Sequence, residues 1–229
     1  MTGLFLSRAR LKRDAPVAAL AGLLVPRDAA ARVAASHHLV WSLFADGPER
    51  RRDFLWREEK PGHFYTLSTR PPTDPHGLFD LSDPKPFAPL LEPSDRLGFA
   101  LRANPVISRQ ETPGQRGKRH DVVMDALHRG AGERAAQRPD AIVAAGTAWL
   151  NRQGAAHGFA PAGAVNVDAY ETVRIARESL PPIRFGRLDI AGVLTVGDPP
   201  RFLAALATGF GRSRAFGCGL MLIRRAPAR

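Results

Sequence analysis

Close to the end of the chain, the stretch GFGRSRAFGCG (Gly209 to Gly219) packs four glycines, two arginines and a serine into eleven positions. Glycine at this density marks places where the backbone must turn sharply or be approached closely. Basic glycine loops commonly hold phosphates, so the flanking elements decide which fold the loop serves. A dinucleotide fingerprint needs G-x-G-x-x-G between a strand and a helix. Here Arg212, Ser213 and Arg214 follow the second glycine, the third glycine is missing, and no G-K-[ST] follows. The order of elements is also reversed. DPPRFLAALATGF reads as a helix with Asp198 as its cap and Pro199 in its first turn, and GLMLI after the loop reads as a strand. Helix, loop, strand is not a nucleotide-binding turn.

The remaining segments supply a framework for that loop. TGLFLSRARLK reads as a first strand. From Asp28 to about Ala45 a helical pattern places Val33, His37, Val40, Trp41 and Phe44 on one face. DFLWREE and HFYTLST pair as a hairpin across Lys60-Pro61-Gly62. Pro71 to Pro93 is proline-rich and aperiodic, and reads as a linker or an irregular cover. A second unit opens with the strand RLGFALRANPVI. A basic loop from Ser108 to His120 follows, holding Arg109, Arg116, Lys118 and Arg119. Then come a helix around Pro139–Gln153 and the strand-like runs AVNVDAYETVRIAR and FGRLDIAGVLTV. The series suggests an α+β fold of two small sandwiches in tandem, residues 1–90 and 95–229, without a sequence repeat between them.

Composition narrows the partners. Against 22 Asp+Glu stand 33 Lys+Arg, a net charge of +11. An arginine-rich surface favours polyanions, because each neutralised phosphate releases counterions and the guanidinium fork matches phosphate oxygens. A genome that prefers arginine gives the same balance. The single cysteine, Cys218, excludes an internal disulfide and a cysteine-based zinc site, and fits a reducing cytoplasm. No apolar run is long enough for a membrane span. VAALAGLLV (Val17 to Val25) imitates a signal-peptide core, but Asp14 interrupts the junction with the basic leader.

The spacing G-h-G-x5-G-h-G, with Phe210 and Cys218 at the apolar positions, resembles the C-terminal loop of CRISPR repeat-processing endoribonucleases. RDFLWREE (Arg52 to Glu59), LRANP (Leu101 to Pro105), GKRHDVV (Gly117 to Val123) and GVLTV (Gly192 to Val196) resemble the CasE family of the type I-E Cascade complex, and they occur in that family's order. The resemblance implies two tandem ferredoxin-like (RRM-like) domains. It implies an enzyme that cuts precursor CRISPR RNA at the repeat hairpin, then stays on the 3′ hairpin beside the other Cascade subunits. No cofactor is implied.

RNA can be cut without metal, since its own 2′-OH can attack the adjacent phosphorus. A base, an acid and cations around the phosphorane are then needed. The products are a 2′,3′-cyclic phosphate or 3′-phosphate and a 5′-hydroxyl. None of the seven histidines shows zinc-helix spacing with an acidic third ligand, so no metal is expected. Relatives carry the catalytic histidine in an H-x-x-x-W-x-L-F pattern, which HHLVWSLF matches at His37, with His38 beside it facing RNA. On the wheel His37 also lies in the stripe of Val33, Val40 and Phe44, where a histidine is ordinarily a core residue. Where relatives often have a tyrosine, three residues earlier, this chain has Ala34. Ser36 adjoins the pair but points less favourably.

Transition-state charge and RNA contact are expected of Arg102, Lys118 and Arg119, and contact with the RNA backbone of Gly209, Gly211, Arg212, Ser213, Arg214 and Gly217 of the loop. Each has a plainer alternative. Arg102 suits a salt bridge on a strand face. Lys118 and Arg119 suit a solvated charge run rather than a hairpin against an RNA stem. The loop glycines suit tight packing against the first helix. Arg50, Arg51 and Arg52 read mainly as solvated surface. Two other functions stay open: a non-cleaving RNA-hairpin subunit, with Ala34 as its argument, and a binder of a small anion at the glycine loop.

Overall fold

A computed structural model describes residues 3–45, 47, 51–110, 114–115, 117–130 and 134–226. Arg50 and Arg116, named above, lie outside the described residues. The chain forms two units. One holds the described residues up to Leu90 with Val173–Arg184 and Ser213–Leu220, and the other holds Leu91–Thr172, Phe185–Arg212 and the described residues from Met221 on. The division is therefore not a single cut near residue 90.

In the first unit β1 (Phe5–Leu11) alternates, with Ser7, Ala9 and Leu11 inward and Arg8 and Arg10 outward. Two short helices follow, α1 (Ala15–Ala19) and α2 (Ala21–Leu24). They contain most of the run that imitates a signal peptide, and Val17 is buried in the first core. Helix α3 (Ala29–Ser42) starts where the Asp28 side chain accepts the Ala31 N–H at 2.7 Å. β2 (Phe54–Lys60) and β3 (His63–Ser68) form the expected antiparallel hairpin. At its turn Gly62 takes a φ of +75°, a conformation glycine adopts without strain.

The proline-rich stretch is not a linker. Within it β4 (Phe79–Leu81) and β5 (Lys85–Pro86) both pair antiparallel with β1. They complete a sheet of order β2-β3-β1-β4, with β5 also on β1. This is the ferredoxin-like order with its last edge supplied by two short pieces, and no helix precedes that edge among the described residues. Prolines are tolerated there because an edge strand leaves one side of its backbone unpaired. Phe79, 3% exposed, packs edge-on to Phe64, and Phe44 stacks on Phe54 at 4.3 Å.

The second unit starts with β6 (Arg96–Ala103), which buries Leu97, Phe99, Leu101 and Ala103. The strand expected to run on to Ile107 breaks. Val106–Arg109 (β7) instead pairs with Lys118–Asp121 (β8) in a separate two-stranded ribbon. Asp121 then caps α4 (Val122–Arg129), a helix the sequence reading missed, by accepting the N–H groups of Val123 and Met124. Helix α5 (Arg134–His157) is longer than expected, with Pro139 inside it. β9 (Phe159–Pro161), β10 (Asn166–Ile175), β11 (Ile183–Val196), α6 (Pro199–Thr208) and β12 (Met221–Arg225) follow in the chain; the end of β10, the start of β11 and a 3-10 turn at Arg214–Phe216 before β12 are assigned to the first unit. The sheet order β10-β11-β6-β12, with α5 and α6 as crossovers, is a complete ferredoxin-like arrangement. The fold class expected from the sequence, two ferredoxin-like domains, holds.

If the proline-rich stretch is part of the first sheet, Phe79→Ala should cost about 3–5 kcal/mol of unfolding free energy. Urea denaturation measures this, and a loss under about 1 kcal/mol would return the segment to a linker.

Candidate RNA-processing site

His37 lies near the middle of α3, half-buried, with Trp41 one turn on at 6.1 Å and Phe216 at 5.2 Å between ring centroids. Its Nδ1 is 2.8 Å from the carbonyl oxygen of Ala215. A carbonyl only accepts, so Nδ1 carries the hydrogen and Nε2 of the neutral ring holds the lone pair. The same carbonyl accepts Trp56 Nε1–H from β2 at 3.1 Å. One backbone oxygen thus fixes both a histidine tautomer and a tryptophan.

The glycine loop puts that oxygen in place. Ala215 sits in the 3-10 turn, bracketed by Ser213 at φ +52° and Gly217 at φ +76°. A Cβ at residue 217 would lie 3.0 Å from the Trp56 ring, too close without a shift. Gly217 therefore packs on a strand tryptophan rather than on the first helix. The loop's earlier half belongs to the second unit. Gly209 caps α6 by donating its N–H to the Ala205 carbonyl at 2.7 Å. Gly211, at φ +73°, would place a Cβ 2.8 Å from the Asn104 carbonyl oxygen and 3.2 Å from Trp149. Arg212 donates its N–H to Asn104 O at 3.2 Å and keeps its side chain exposed. These glycines are accounted for by close backbone packing, whatever else the loop binds.

Charge shapes the histidine. Burial is the largest influence lowering the His37 pKa, the Ala215 bond opposes it, and the charges of His38 and Arg52 lower it further. His38 is exposed, with its ring 5.2 Å from that of His37. Burial, then repulsion from Arg214, pull the Arg52 guanidinium below its ordinary value. Arg52 was read as solvated surface, yet it is half-buried. The available signal was its parity with Phe54 and Trp56, two and four residues on, which puts it on their face. Ser36 is buried, with its hydroxyl 3.4 Å from Glu58 Oε1.

His37, His38, Ser213, Arg214 and Gly217 are gathered in the first unit. Arg102, Lys118, Arg119, Gly209, Gly211 and Arg212 belong to the second. Arg102 donates from Nε and Nη2 to both oxygens of Asp189, at 2.9 and 2.8 Å, directly across the β6–β11 register. The strand-face salt bridge is thus present. Lys118 and Arg119 are exposed on β8, so the basic loop is the arm of a ribbon. Beside it lies a cavity of about 630 Å³ whose lining includes Arg119, His120 and His128. Among the described residues no three His, Cys, Asp or Glu come together as metal ligands, and no helix is long and apolar enough to cross a membrane.

A family model described as CRISPR associated protein matches residues 4–225. The chain belongs to this family. It is similar to a solved CRISPR endoribonuclease Cse3 bound to a 19-nucleotide RNA, with 26% identity and a TM-score of 0.69 over 98% of this chain and 100% of that one. It is similar to Thermus thermophilus Cse3 bound to an RNA representing a pre-cleavage complex, with 25% identity and a TM-score of 0.66 over 98% and 100%. CRISPR-associated Cas6e from Escherichia coli str. K-12, at 20% identity and a TM-score of 0.62 over 97% and 100%, shares the fold. No curated protein matches. The CasE resemblance read from the ordered motifs therefore stands.

A lowered His37 pKa has a thermodynamic sign. Between the folded value and the unfolded 6.5 the unfolded chain binds more protons, so stability is full above 6.5 and is lost as pH falls towards the folded value. In NMR, the His37 ring should titrate below 6.5. In chemical denaturation, His37→Ala should lose less stability than the wild type as pH drops below 6.5. A midpoint at or above 6.5 would contradict the burial argument.

Proposed function

We propose that this chain is a metal-independent endoribonuclease that cleaves precursor CRISPR RNA at the repeat hairpin and remains on the 3′ hairpin of the mature RNA as a Cascade subunit in the cytoplasm. The observation that carries the reading is the single tautomer of His37, held by a backbone carbonyl and kept neutral by burial and neighbouring positive charge. Likeness across nearly the whole chain to endoribonucleases solved with RNA supports it.

Nε2 of His37 accepts the proton of the 2′-OH as the 2′-oxygen attacks the adjacent phosphorus. The P–O5′ bond breaks, the phosphorus keeps a 2′,3′-cyclic ester, and the departing 5′-oxygen takes a proton from water to become a hydroxyl, while His37 later returns its proton to solvent. Negative charge builds on the non-bridging oxygens, where arginines of a basic chain stabilise it. His38, Arg102, Lys118 and Arg119, with Arg212 and Arg214 of the loop, serve as RNA contacts in this reading. Arg102 then acts through a charge already shared with Asp189.

Ala34 favours a second reading, in which the chain binds the hairpin and does not cut it. Relatives often place a tyrosine here to assist at the scissile phosphate. One assay separates the two. The cognate repeat hairpin is incubated with enzyme in EDTA, and the products are resolved by their termini. Wild type should release a cyclic-phosphate or 3′-phosphate product, and His37→Ala should lower the single-turnover rate about 10²–10⁴-fold. His38→Ala should cut with a much smaller loss. Tight binding by wild type without cleavage would establish the binding-only reading.

A further inference from the structure

Arg52 is not explained by folding. Its guanidinium is half-buried, and Nη1 is fully covered without a hydrogen-bond partner among the described residues. It stands two residues before β2, in which Phe54 and Trp56 share one face. That face leads to the site: Phe54 contacts Trp41 at 5.2 Å, Trp41 contacts His37, and Trp56 shares the Ala215 carbonyl with His37. Arg214, the residue before Ala215, opens the 3-10 turn on the same carbonyl. The charges of Arg52 and Arg214 act on each other, and that of Arg52 acts on His37. A chain that needed only stability would not bury a cation against a second cation beside a histidine. An anion brought between them is attracted to each cation and offsets these repulsions.

A ligand held by both cations must be compact and anionic. A phosphodiester meets both requirements. We propose that Arg52, together with Arg214, binds the non-bridging oxygens of the scissile phosphate beside His37. The inference rests on the endoribonuclease reading for the identity of that phosphate. Arg52 is then a catalytic residue with two effects. Its fork holds the phosphate and stabilises charge on the phosphorane. Before RNA arrives, its charge opposes protonation of His37. Once the phosphate offsets the pair, the imidazolium that forms is no longer opposed.

The test uses the full chain with Arg52→Gln and Arg52→Lys, in EDTA, on the cognate repeat hairpin. Single-turnover cleavage should fall about 100-fold in Arg52→Gln. Arg52→Lys, which keeps the charge and loses the fork, should fall about tenfold at an unchanged melting temperature. In RNA-free protein the His37 NMR titration midpoint should rise in Arg52→Gln and stay in place in Arg52→Lys, a response that a merely structural role would not separate. Uncut RNA is followed in a His37→Ala background, where adding Arg52→Gln should flatten the salt dependence of binding by about one phosphate contact. Cleavage by Arg52→Gln within about threefold of wild type, with an unchanged salt slope, overturns the proposal. If wild type does not cut at all, the endoribonuclease reading falls by itself. The salt slope then decides Arg52: a lower slope supports the phosphate contact, and an equal one overturns it.

Discussion

The carbonyl of Ala215 accepts two ring N–H groups, one from helix α3 and one from strand β2. A carbonyl oxygen has two lone pairs, and here both are used on ring N–H donors, one from a buried tryptophan and one from a half-buried histidine. Remove the oxygen from this place and two donors are stranded, at about 1–3 kcal/mol each where burial is complete. The position of the turn is therefore demanded from both sides. Ser213 and Gly217 take positive φ on either side of it, and Gly217 leaves out the one carbon that would strike Trp56. The helix, the strand and the loop thus share one hydrogen-bond acceptor in addition to the core that packs α3 on β2.

That arrangement also explains why a histidine in an apolar stripe need not choose between core and chemistry. Val33 and Val40 on α3 are buried, at 3% and 0% exposed, and they set the helix against its sheet. His37 lies on the same stripe but turns its Nδ1 to the loop, so one edge of the ring is spent on structure. The other edge keeps its lone pair. Burial alone would lower the pKa, and the positive neighbours act in the same direction. Protonation of this ring is therefore opposed twice, by burial and by positive neighbours.

What was legible in the sequence was whatever is local. The start of α3 beside Asp28, the Lys60-Pro61-Gly62 turn and Asp198 capping α6 are each decided within a few residues, and each was read correctly. The edge strands β4 and β5 were not legible, because three and two residues between prolines carry no periodicity, and they pair with β1 some seventy or more positions away. Helix α4 was hidden behind the basic loop, since only the Asp121 cap separates the ribbon from the helix. Arg102 and Asp189 sit 87 positions apart, so their bidentate pair follows from sheet register and not from spacing. Arg52 was masked by its neighbours: three consecutive arginines read as a solvated run, although Arg52 is half-buried just before β2.

The loop motif itself shows the limit of reading side chains. In G-h-G-x5-G-h-G the apolar positions, Phe210 and Cys218, are 1% and 0% exposed, which is burial in the ordinary sense. Gly211 and Gly217 mark two close approaches, to Trp149 in one unit and Trp56 in the other. The motif therefore records where backbone must pass near a large ring. The atom that matters most for the histidine belongs to Ala215, inside the five positions that the motif leaves unspecified. Since it is a main-chain oxygen, its role places little demand on the side chain there. A search for phosphate-binding residues in this loop naturally looks to its arginines and glycines, and so passes over the carbonyl that orients the candidate base.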